Sequence, residues 1–228
     1  MIRAIVFDLD NTLTDFMKMK EAAINAAIDG MIDAGFPLPR PELQARVKAI
    51  YDEMGMEYQR VFDELLQREF GEIDPKILAA GIVGYRRARV SAMVLYPHAQ
   101  MTLLELVKRG IKLGVVSDAP RMQVWLRLCE LGLQHVFDAV VTFEDTGERK
   151  PAPAPFRAVL GRLGVSAEEA MMIGDWAERD VVGAKSLGMT TVFARYGDWF
   201  DTKVSGADHD IDDLLELVGI VDRIHDVS

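Results

Sequence analysis

Cysteine and long apolar runs are almost absent from this sequence. Cys129 is its single cysteine, so no disulfide can form within the chain, and the apolar helical pattern around it predicts a buried thiol in a reducing compartment. The apolar runs are all shorter than the roughly 18 residues that a membrane-spanning helix needs. These absences exclude an intramolecular disulfide scaffold and predict a cytoplasmic protein without a membrane partner.

Positive charge is also scarce. The chain has 26 Lys and Arg against 36 Asp and Glu, and its formal net charge is −10 at pH 7. This charge repels the phosphates of nucleic acids, which argues against a nucleic-acid partner. Half of the residues are hydrophobic and 27% are charged, as in an ordinary globular protein. The 228 residues suit one large domain or a domain that carries an insertion.

Short apolar runs alternate with helical patterns over most of the chain. Five runs have the length and β-branched content of buried strands, namely residues 2–7, 112–116, 139–143, 170–173 and 190–194. Apolar residues three and four apart predict helices over residues 122–133, 155–163 and 178–187. Strands that alternate with such helices pair in parallel through right-handed crossovers. The predicted fold class is therefore α/β, with a doubly wound parallel sheet.

One connection is far longer than the few residues that usually join a strand to the next element. It follows the first strand, holds about eighty residues, and therefore needs structure of its own. Amphipathic patterns predict four helices in it, over residues 17–34, 41–54, 56–70 and 75–93. We expect residues 16–94 to form an inserted all-helical domain, and residues 1–15 together with 95–228 to form the α/β core.

Acidic and hydroxyl side chains follow three of the predicted strands, at the point where each strand ends. Asp8 and Asp10 follow the first strand, Ser117 follows the second, and Asp175 follows the fourth. In a doubly wound sheet, the carboxyl ends of the strands border the crevice that binds ligands. The sequence therefore predicts that these side chains line one crevice.

A lysine and a further carboxylate can reach the same crevice. Lys150 lies in the loop GERKPAP before a predicted helix, and Asp180 comes one tight turn after Asp175. Four carboxylates in a small volume repel each other and lose solvation, so they need a divalent cation and a nearby lysine. Because all the ligands would be oxygen atoms, Mg2+ is favoured over Zn2+. The sequence thus predicts a magnesium site.

Four motifs resemble, in order, those of the haloacid dehalogenase-like hydrolase superfamily. They are DLDNT from Asp8, the apolar run that ends in Ser117, Lys150 before a proline, and GDWAERD from Gly174 to Asp180. The helical insertion after the first motif is similar to the type 1 cap of the phosphoglycolate-phosphatase-like members. The resemblance implies a Rossmann-like core and Mg2+-dependent hydrolysis of a small phosphorylated metabolite, with the cap deciding which one.

The resemblance also implies a role for each matching residue. Asp8 is expected to be the nucleophile that forms an aspartyl phosphate, and Asp10 the general acid and base. Thr12 would orient the loop, Ser117 would bind a phosphoryl oxygen, and Lys150 would neutralise nucleophile and phosphate. The expected Mg2+ ligands are Asp8, the backbone carbonyl of Asp10, Asp175 and, nearby, Asp180.

Phosphoryl transfer explains why two aspartates lie one residue apart. A carboxylate nucleophile divides hydrolysis into two steps with a covalent intermediate. A second acid near the leaving oxygen first donates a proton and then activates water. Asp8 and Asp10 would therefore both be needed, each for a different task.

Other interpretations stay open at this point. The same scaffold also supports dehalogenases, phosphonatases and sugar-phosphate mutases. The dehalogenases lack an acid at the position of Asp10, and a phosphonatase needs a Schiff-base lysine from the cap, where Lys18 and Lys20 are available. A non-catalytic phospho-acceptor, such as a receiver domain, also combines acids with a lysine, but it lacks the long insertion and the GDxxxxD loop.

Overall fold

The computed structural model describes residues 1–226 of the chain. Residues 227 and 228, which belong to the predicted α/β core, lie outside that range. The chain divides into two compact units. One consists of Met1–Asp15 and the chain from Val94 onward, and the other consists of Phe16–Met93.

The unit Phe16–Met93 contains four helices around an apolar core of its own. Their bounds are α1 Phe16–Asp33, α2 Arg40–Met54, α3 Val61–Phe70 and α4 Pro75–Ala92. Helix α3 begins five residues later than the apolar periodicity predicts. Helix α4 begins at a proline after Asp74, whose carboxylate accepts hydrogen bonds from the backbone N–H groups of Lys76 and Ile77. The insertion is therefore a helical unit, and local residues explain where its fourth helix begins.

The other unit is built on a six-stranded parallel sheet, which confirms the predicted α/β class. Its strands run in the order β3-β2-β1-β4-β5-β6. Their bounds are β1 Ala4–Phe7, β2 Lys112–Val116, β3 Ala139–Val141, β4 Ala170–Gly174, β5 Thr190–Ala194 and β6 His209–Ile211. Four of the first five fall within the predicted runs, and β4 extends one residue beyond its run, to Gly174. Strand β6 is absent from the prediction because three residues give no apolar run.

Helices cover both faces of this sheet. They are α5 Ala99–Lys108, α6 Arg121–Glu130, α7 Phe143–Thr146, α8 Pro153–Leu163, α9 Val182–Lys185 and α10 Glu216–Asp226. Apolar side chains of α5, α6 and α10 pack with Ile5 and Phe7 on one face, and those of α8 and α9 pack with Val6 on the other. Alternate residues of β1 thus contribute to opposite layers. Within the described range, no helix combines the length and the apolar content needed to cross a membrane.

Cys129 is exposed on α6, so the prediction of a buried thiol was wrong. The buried face of this helix consists of Val124, Arg127 and Leu128. Cys129 comes one residue after Leu128, and one residue is about 100° of rotation around a helix, which turns the thiol away from the core.

The chain leaves and re-enters the α/β unit at one point. Thr14 and Leu95 form an antiparallel bridge, and the backbone N–H of Tyr96 donates to the carbonyl of Leu13 at 2.9 Å. The hydroxyl of Thr14 donates to the carbonyl of Val94 at 2.7 Å. The segment just before the insertion is therefore hydrogen-bonded to the segment just after it.

Candidate active site

Three buried carboxylates meet at the carboxyl-terminal edge of the sheet. They belong to Asp8, Asp175 and Asp180, and one oxygen of each lies within 4.8 Å of the others. Strand pairing explains the first two, because Phe7 lies opposite Ile173 and the residues that follow both strands emerge together. The structure thus brings together three of the acidic residues predicted to share the crevice.

Asp180 reaches this cluster through an unusual turn. Residues Ala177–Val181 form a π-helical turn where the sequence pattern predicts the start of an α-helix. The wider turn lets Oδ2 of Asp180 accept a hydrogen bond from the backbone N–H of Trp176 at 3.0 Å. It also packs the carboxylate against Gly174, where any Cβ would collide with it. Single π-turns are frequent at functional sites.

Lys150 is buried and bridges two of the carboxylates. Its Nζ lies 2.5 Å from Oδ1 of Asp8 and 2.6 Å from Oδ1 of Asp180. Asp118 fixes the lysine's loop, since its Oδ1 accepts a hydrogen bond from the backbone N–H of Lys150 at 2.9 Å. The other oxygen of Asp118 pairs with Arg179 at 3.1 Å. The predicted lysine is therefore in contact with the predicted nucleophile.

Negative charge exceeds positive charge in this cluster. Burial raises the pKa of Asp8 to about 7; Lys150 opposes this shift, while Asp180 and Asp10 add to it. Burial raises the pKa of Asp175 to about 9, with Asp8 and Asp180 adding to it. Burial alone would lower the pKa of Lys150, but the carboxylates of Asp180 and Asp8 outweigh it and hold the pKa above its ordinary value. The cluster would be stabilised by more positive charge.

The donor set fits a hard divalent cation. The three atoms that could bind it are carboxylate oxygens of buried residues, Asp8, Asp175 and Asp180. Hard cations such as Mg2+ prefer oxygen ligands, and a divalent charge would offset the excess that raises the pKa values of two of these groups. These residues form a candidate metal centre.

The carboxylate of Asp10 has a different partner. Its Oδ2 accepts a hydrogen bond from Nη1 of Arg127 at 2.6 Å. The sequence predicts four carboxylates in one small volume, but the cluster contains three, because a buried guanidinium from α6 attracts the fourth. The expected contribution of Asp10 to the metal is its backbone carbonyl, and this stays a prediction.

Thr12 and Ser117 are both buried next to the strand ends. The hydroxyl of Thr12 donates to Oδ1 of Asp175 at 3.3 Å, which links the loop after β1 to the loop after β4. Ser117 comes directly after β2, and its hydroxyl accepts a hydrogen bond from the backbone N–H of Ala119 at 3.2 Å. Thr12 therefore contacts a candidate metal ligand, and Ser117 shapes the turn that leads to α6.

A brace formed by Tyr196 and Gly197 supports the loop after β1. The hydroxyl of Tyr196 donates to the carbonyl of Thr12 at 2.8 Å, and burial together with Tyr96 raises its pKa, so the phenol keeps its proton. A Cβ on Gly197 would collide with the carbonyl oxygen of Asn11. The sequence gives no signal for this brace, because Tyr196 and Gly197 contact backbone carbonyls of Thr12 and Asn11 that are far away in the chain.

Comparisons with known proteins agree with this geometry. The family model for haloacid dehalogenase-like hydrolases matches residues 2–188. The chain is 38% identical to the glyceraldehyde 3-phosphate phosphatase of Methanocaldococcus jannaschii, over 98% of this chain and 99% of that protein. It is 33% identical to the phosphoglycolate phosphatase of Rhodospirillum rubrum, over 86% and 81%. The crystal structure of a HAD phosphatase from Thermococcus onnurineus matches with a TM-score of 0.67 and 29% identity, over 96% and 98%.

Proposed function

The chain belongs to the haloacid dehalogenase-like hydrolases and is a phosphatase of small phosphorylated metabolites, and we propose that it works through an aspartyl phosphate on Asp8. The observation that carries this mechanism is the buried contact between Asp8 and Lys150, 2.5 Å, beside Asp175 and Asp180. A nucleophilic carboxylate needs a cation next to it, both to stay ionised and to accept an anionic phosphate.

In the first step, the carboxylate of Asp8 attacks the phosphorus atom and the ester oxygen leaves. Asp10 donates a proton to that oxygen, so the product leaves as a neutral alcohol. Lys150 neutralises the nucleophile and the transferring oxygens, and the hydroxyl of Ser117 binds one of those oxygens. The bond from phosphorus to Asp8 replaces the bond to the leaving group.

In the second step, water attacks the phosphorus atom of the aspartyl phosphate. Asp10, now ionised, takes a proton from this water. The bond between phosphorus and Asp8 breaks, inorganic phosphate leaves, and Asp10 carries the proton for the next cycle. The two aspartates thus return to their starting states.

We propose Mg2+ as the cation of the acidic cluster. Its ligands would be Asp8, Asp175, the backbone carbonyl of Asp10 and, nearby, Asp180. When bound, Mg2+ supplies positive charge to the nucleophile and to the phosphoryl oxygens. The hydrogen bond from Thr12 to Asp175 keeps that carboxylate oriented toward the loop of the nucleophile.

We propose a substrate with a two- or three-carbon chain. Two relatives support this: the 38% identical protein is named for glyceraldehyde 3-phosphate, and the 33% identical one for phosphoglycolate. Both names describe a phosphate ester on a short chain with an oxidised carbon.

Phosphate release from a panel of esters tests the proposed function. The panel contains glyceraldehyde 3-phosphate, phosphoglycolate, a pentose phosphate and a hexose phosphate, each with Mg2+ and with excess EDTA. We expect release with Mg2+, fastest for the short chains, and none with EDTA or with Asp8→Asn. Full activity in EDTA would remove the metal from the proposal. Isomerisation without phosphate release would indicate a mutase instead.

A further inference from the structure

Arg127 is a buried charge beside the site that the two-step mechanism leaves without a role. It is 3% exposed and lies on the inner face of α6 with Val124 and Leu128, where apolar periodicity favours another aliphatic residue. A guanidinium that loses its water costs several kcal/mol unless charge and hydrogen bonds replace it. A buried arginine at such a position therefore calls for an explanation.

Arg127 forms an ion pair with the proposed general acid and base, Asp10. Nη1 of Arg127 lies 2.6 Å from Oδ2 of Asp10, and the exposed side-chain fractions are 4% for the arginine and 20% for the aspartate. A planar guanidinium that is held by packing binds a carboxylate in a fixed direction. Asp10 is followed by Asn11, whose φ of 59° is in the left-handed region, so the backbone turns sharply at this point. The turn at Asn11 thus sets the backbone next to Asp10, and Arg127 holds the carboxylate at the end of the Asp10 side chain.

Both proton transfers depend on where this carboxylate lies. An acid or base works only within hydrogen-bond reach of the proton it moves, and misplacement by about 1 Å can cost about 100-fold in rate. We infer that Arg127 is a positioning residue for Asp10, which holds the carboxylate in one orientation through both steps. This inference rests on the proposed function, which gives Asp10 its task.

A purely structural pair would behave differently. Replacing a buried ion pair by apolar groups is often neutral for stability, so stability alone does not account for keeping one. The pair connects α6, which follows the turn of Ser117, with the loop that carries Asp8. It therefore links the two segments that would contact the phosphoryl group in the proposed mechanism.

A double-mutant cycle tests the inference. The variants are Arg127→Met, Asp10→Asn and the double variant, each assayed with p-nitrophenyl phosphate and with an alkyl phosphate that has a poor leaving group. We expect Arg127→Met to lower kcat at least about tenfold at nearly constant KM, with the larger loss for the alkyl ester. In the Asp10→Asn background, Arg127→Met should cause no further loss, since the residue it positions is gone.

Two further variants separate positioning from folding. Arg121→Met removes another ion-paired arginine of α6, whose partner is Asp145, and should leave kcat and KM unchanged. Arg127→Lys keeps the charge without the planar fork and should recover part of the rate. Thermal unfolding identifies the variants that fold. If Arg127→Met does not fold, the same cycle is run with Arg127→Lys, whose smaller loss should again vanish in the Asp10→Asn background.

Two outcomes would contradict the positioning role of Arg127, and a third would contradict the proposed role of Asp10. If the Arg127 substitution lowers kcat equally in the wild-type and Asp10→Asn backgrounds, the two residues act independently and the inference is wrong. It is also wrong if the folded Arg127 variant keeps wild-type rates with both esters. If Asp10→Asn itself turns over both esters like the wild type, the proposed role of Asp10 fails instead.

Discussion

At the scale of single residues, the site distinguishes two neighbouring aspartates by their cationic partners. Asp8 contacts Lys150, a compact ammonium, inside the acidic cluster. Asp10 contacts Arg127, a planar guanidinium, next to that cluster. Two carboxylates in different environments can perform different tasks at the same pH. The pairing agrees with a nucleophile and a separate acid and base.

Substitution of each aspartate by asparagine should have different results. Asp8→Asn removes the attacking carboxylate, so turnover should fall by several orders of magnitude and no phospho-enzyme should form. Asp10→Asn keeps the nucleophile but loses proton transfer, a factor of about 10²–10⁴. With p-nitrophenyl phosphate the first step needs little acid, so Asp10→Asn should accumulate phosphate on Asp8.

Rapid acid quench and mass spectrometry of the peptide that contains Asp8 measure this directly. We expect the peptide to gain the mass of one phosphoryl group in Asp10→Asn. Asp8→Asn is the matched control and should show no gain. If neither variant is phosphorylated while the wild type still turns over, water attacks the ester directly and Asp8 is not the nucleophile.

The site residues at strand ends could be predicted from the sequence, whereas the buried residues that pair with them from other elements could not. Asp8 and Asp175 could be placed together because both follow apolar runs predicted to be strands of one parallel sheet, whose carboxyl ends border one crevice. Arg127 could not be assigned to Asp10, because a lone arginine in a helical pattern usually faces solvent. A signal was present nevertheless: Arg127 lies at the spacing of Val124 and Leu128, on the apolar stripe of its helix.

At the scale of elements, the segment after β5 supports the loop after β1. Gly197→Ala would push the added methyl against the carbonyl of Asn11 and displace this loop. We expect a loss of about 1–3 kcal/mol in the free energy of unfolding from overpacking, and a fall in kcat of about 100-fold from misplacement of Asp8. Tyr196→Phe should act more weakly, because it removes one hydrogen bond of about 0.5–1.5 kcal/mol.

Gly161→Ala is the matched control for Gly197→Ala. Gly161 lies inside α8, and a Cβ there meets no atom within 4 Å. This substitution should stabilise the protein by up to about 1 kcal/mol, because alanine favours helices, and should leave kcat unchanged. Denaturant unfolding and steady-state kinetics of the variants provide the comparison. A Gly197→Ala protein with wild-type kcat would show that the brace is unnecessary for catalysis.

Several elements depend on contacts that periodicity does not reveal. Strand β3 ends at Val141, two residues before the apolar run ends, because Thr142 and Asp145 cap the short helix α7 reciprocally. Strand β6 has three residues and exists through its pairing with β5. Helix α5 was also absent from the prediction, although Leu103 and Leu106 have the spacing of a helical face.

At the scale of the whole molecule, the excess negative charge of the site links stability to pH and to metal. The pKa values of Asp8 and Asp175, about 7 and about 9, lie above the ordinary 3.8. Between pH 3.8 and the raised pKa of each group, the metal-free folded chain therefore binds more protons than the unfolded chain. Through these two groups, its free energy of unfolding falls as the pH rises from about 4 to about 9.

Mg2+ should reverse this destabilisation, and more so at alkaline pH. The cation binds ionised carboxylates, so it competes with protons for Asp8 and Asp175. At a hundredfold excess over its Kd it would add about 2.7 kcal/mol, which is several degrees in Tm for a chain of this size. We expect the increase in Tm caused by Mg2+ to be larger at about pH 8.5 than at about pH 6.

Thermal unfolding of two variants provides the controls for this prediction. Asp175→Asn removes a proposed ligand and should abolish most of the increase in Tm. Asp118→Asn should keep it, because that carboxylate contacts Arg179 and the backbone N–H of Lys150 rather than the acidic cluster. Equal responses of the two variants would show that Asp175 is not a ligand.

The strand order has a consequence for the way in which the chain emerges from a ribosome. Strand β1 is made first, yet its neighbours β2 and β4 begin at Lys112 and Ala170. At about 5–20 residues per second, β1 waits about 5–20 s for its first partner. The helices of Phe16–Met93 are complete well before that and have an apolar core of their own. The nascent chain therefore carries a finished helical unit while β1, all of whose residues are buried in the folded protein, is still unpaired. A chaperone would be most useful in this state.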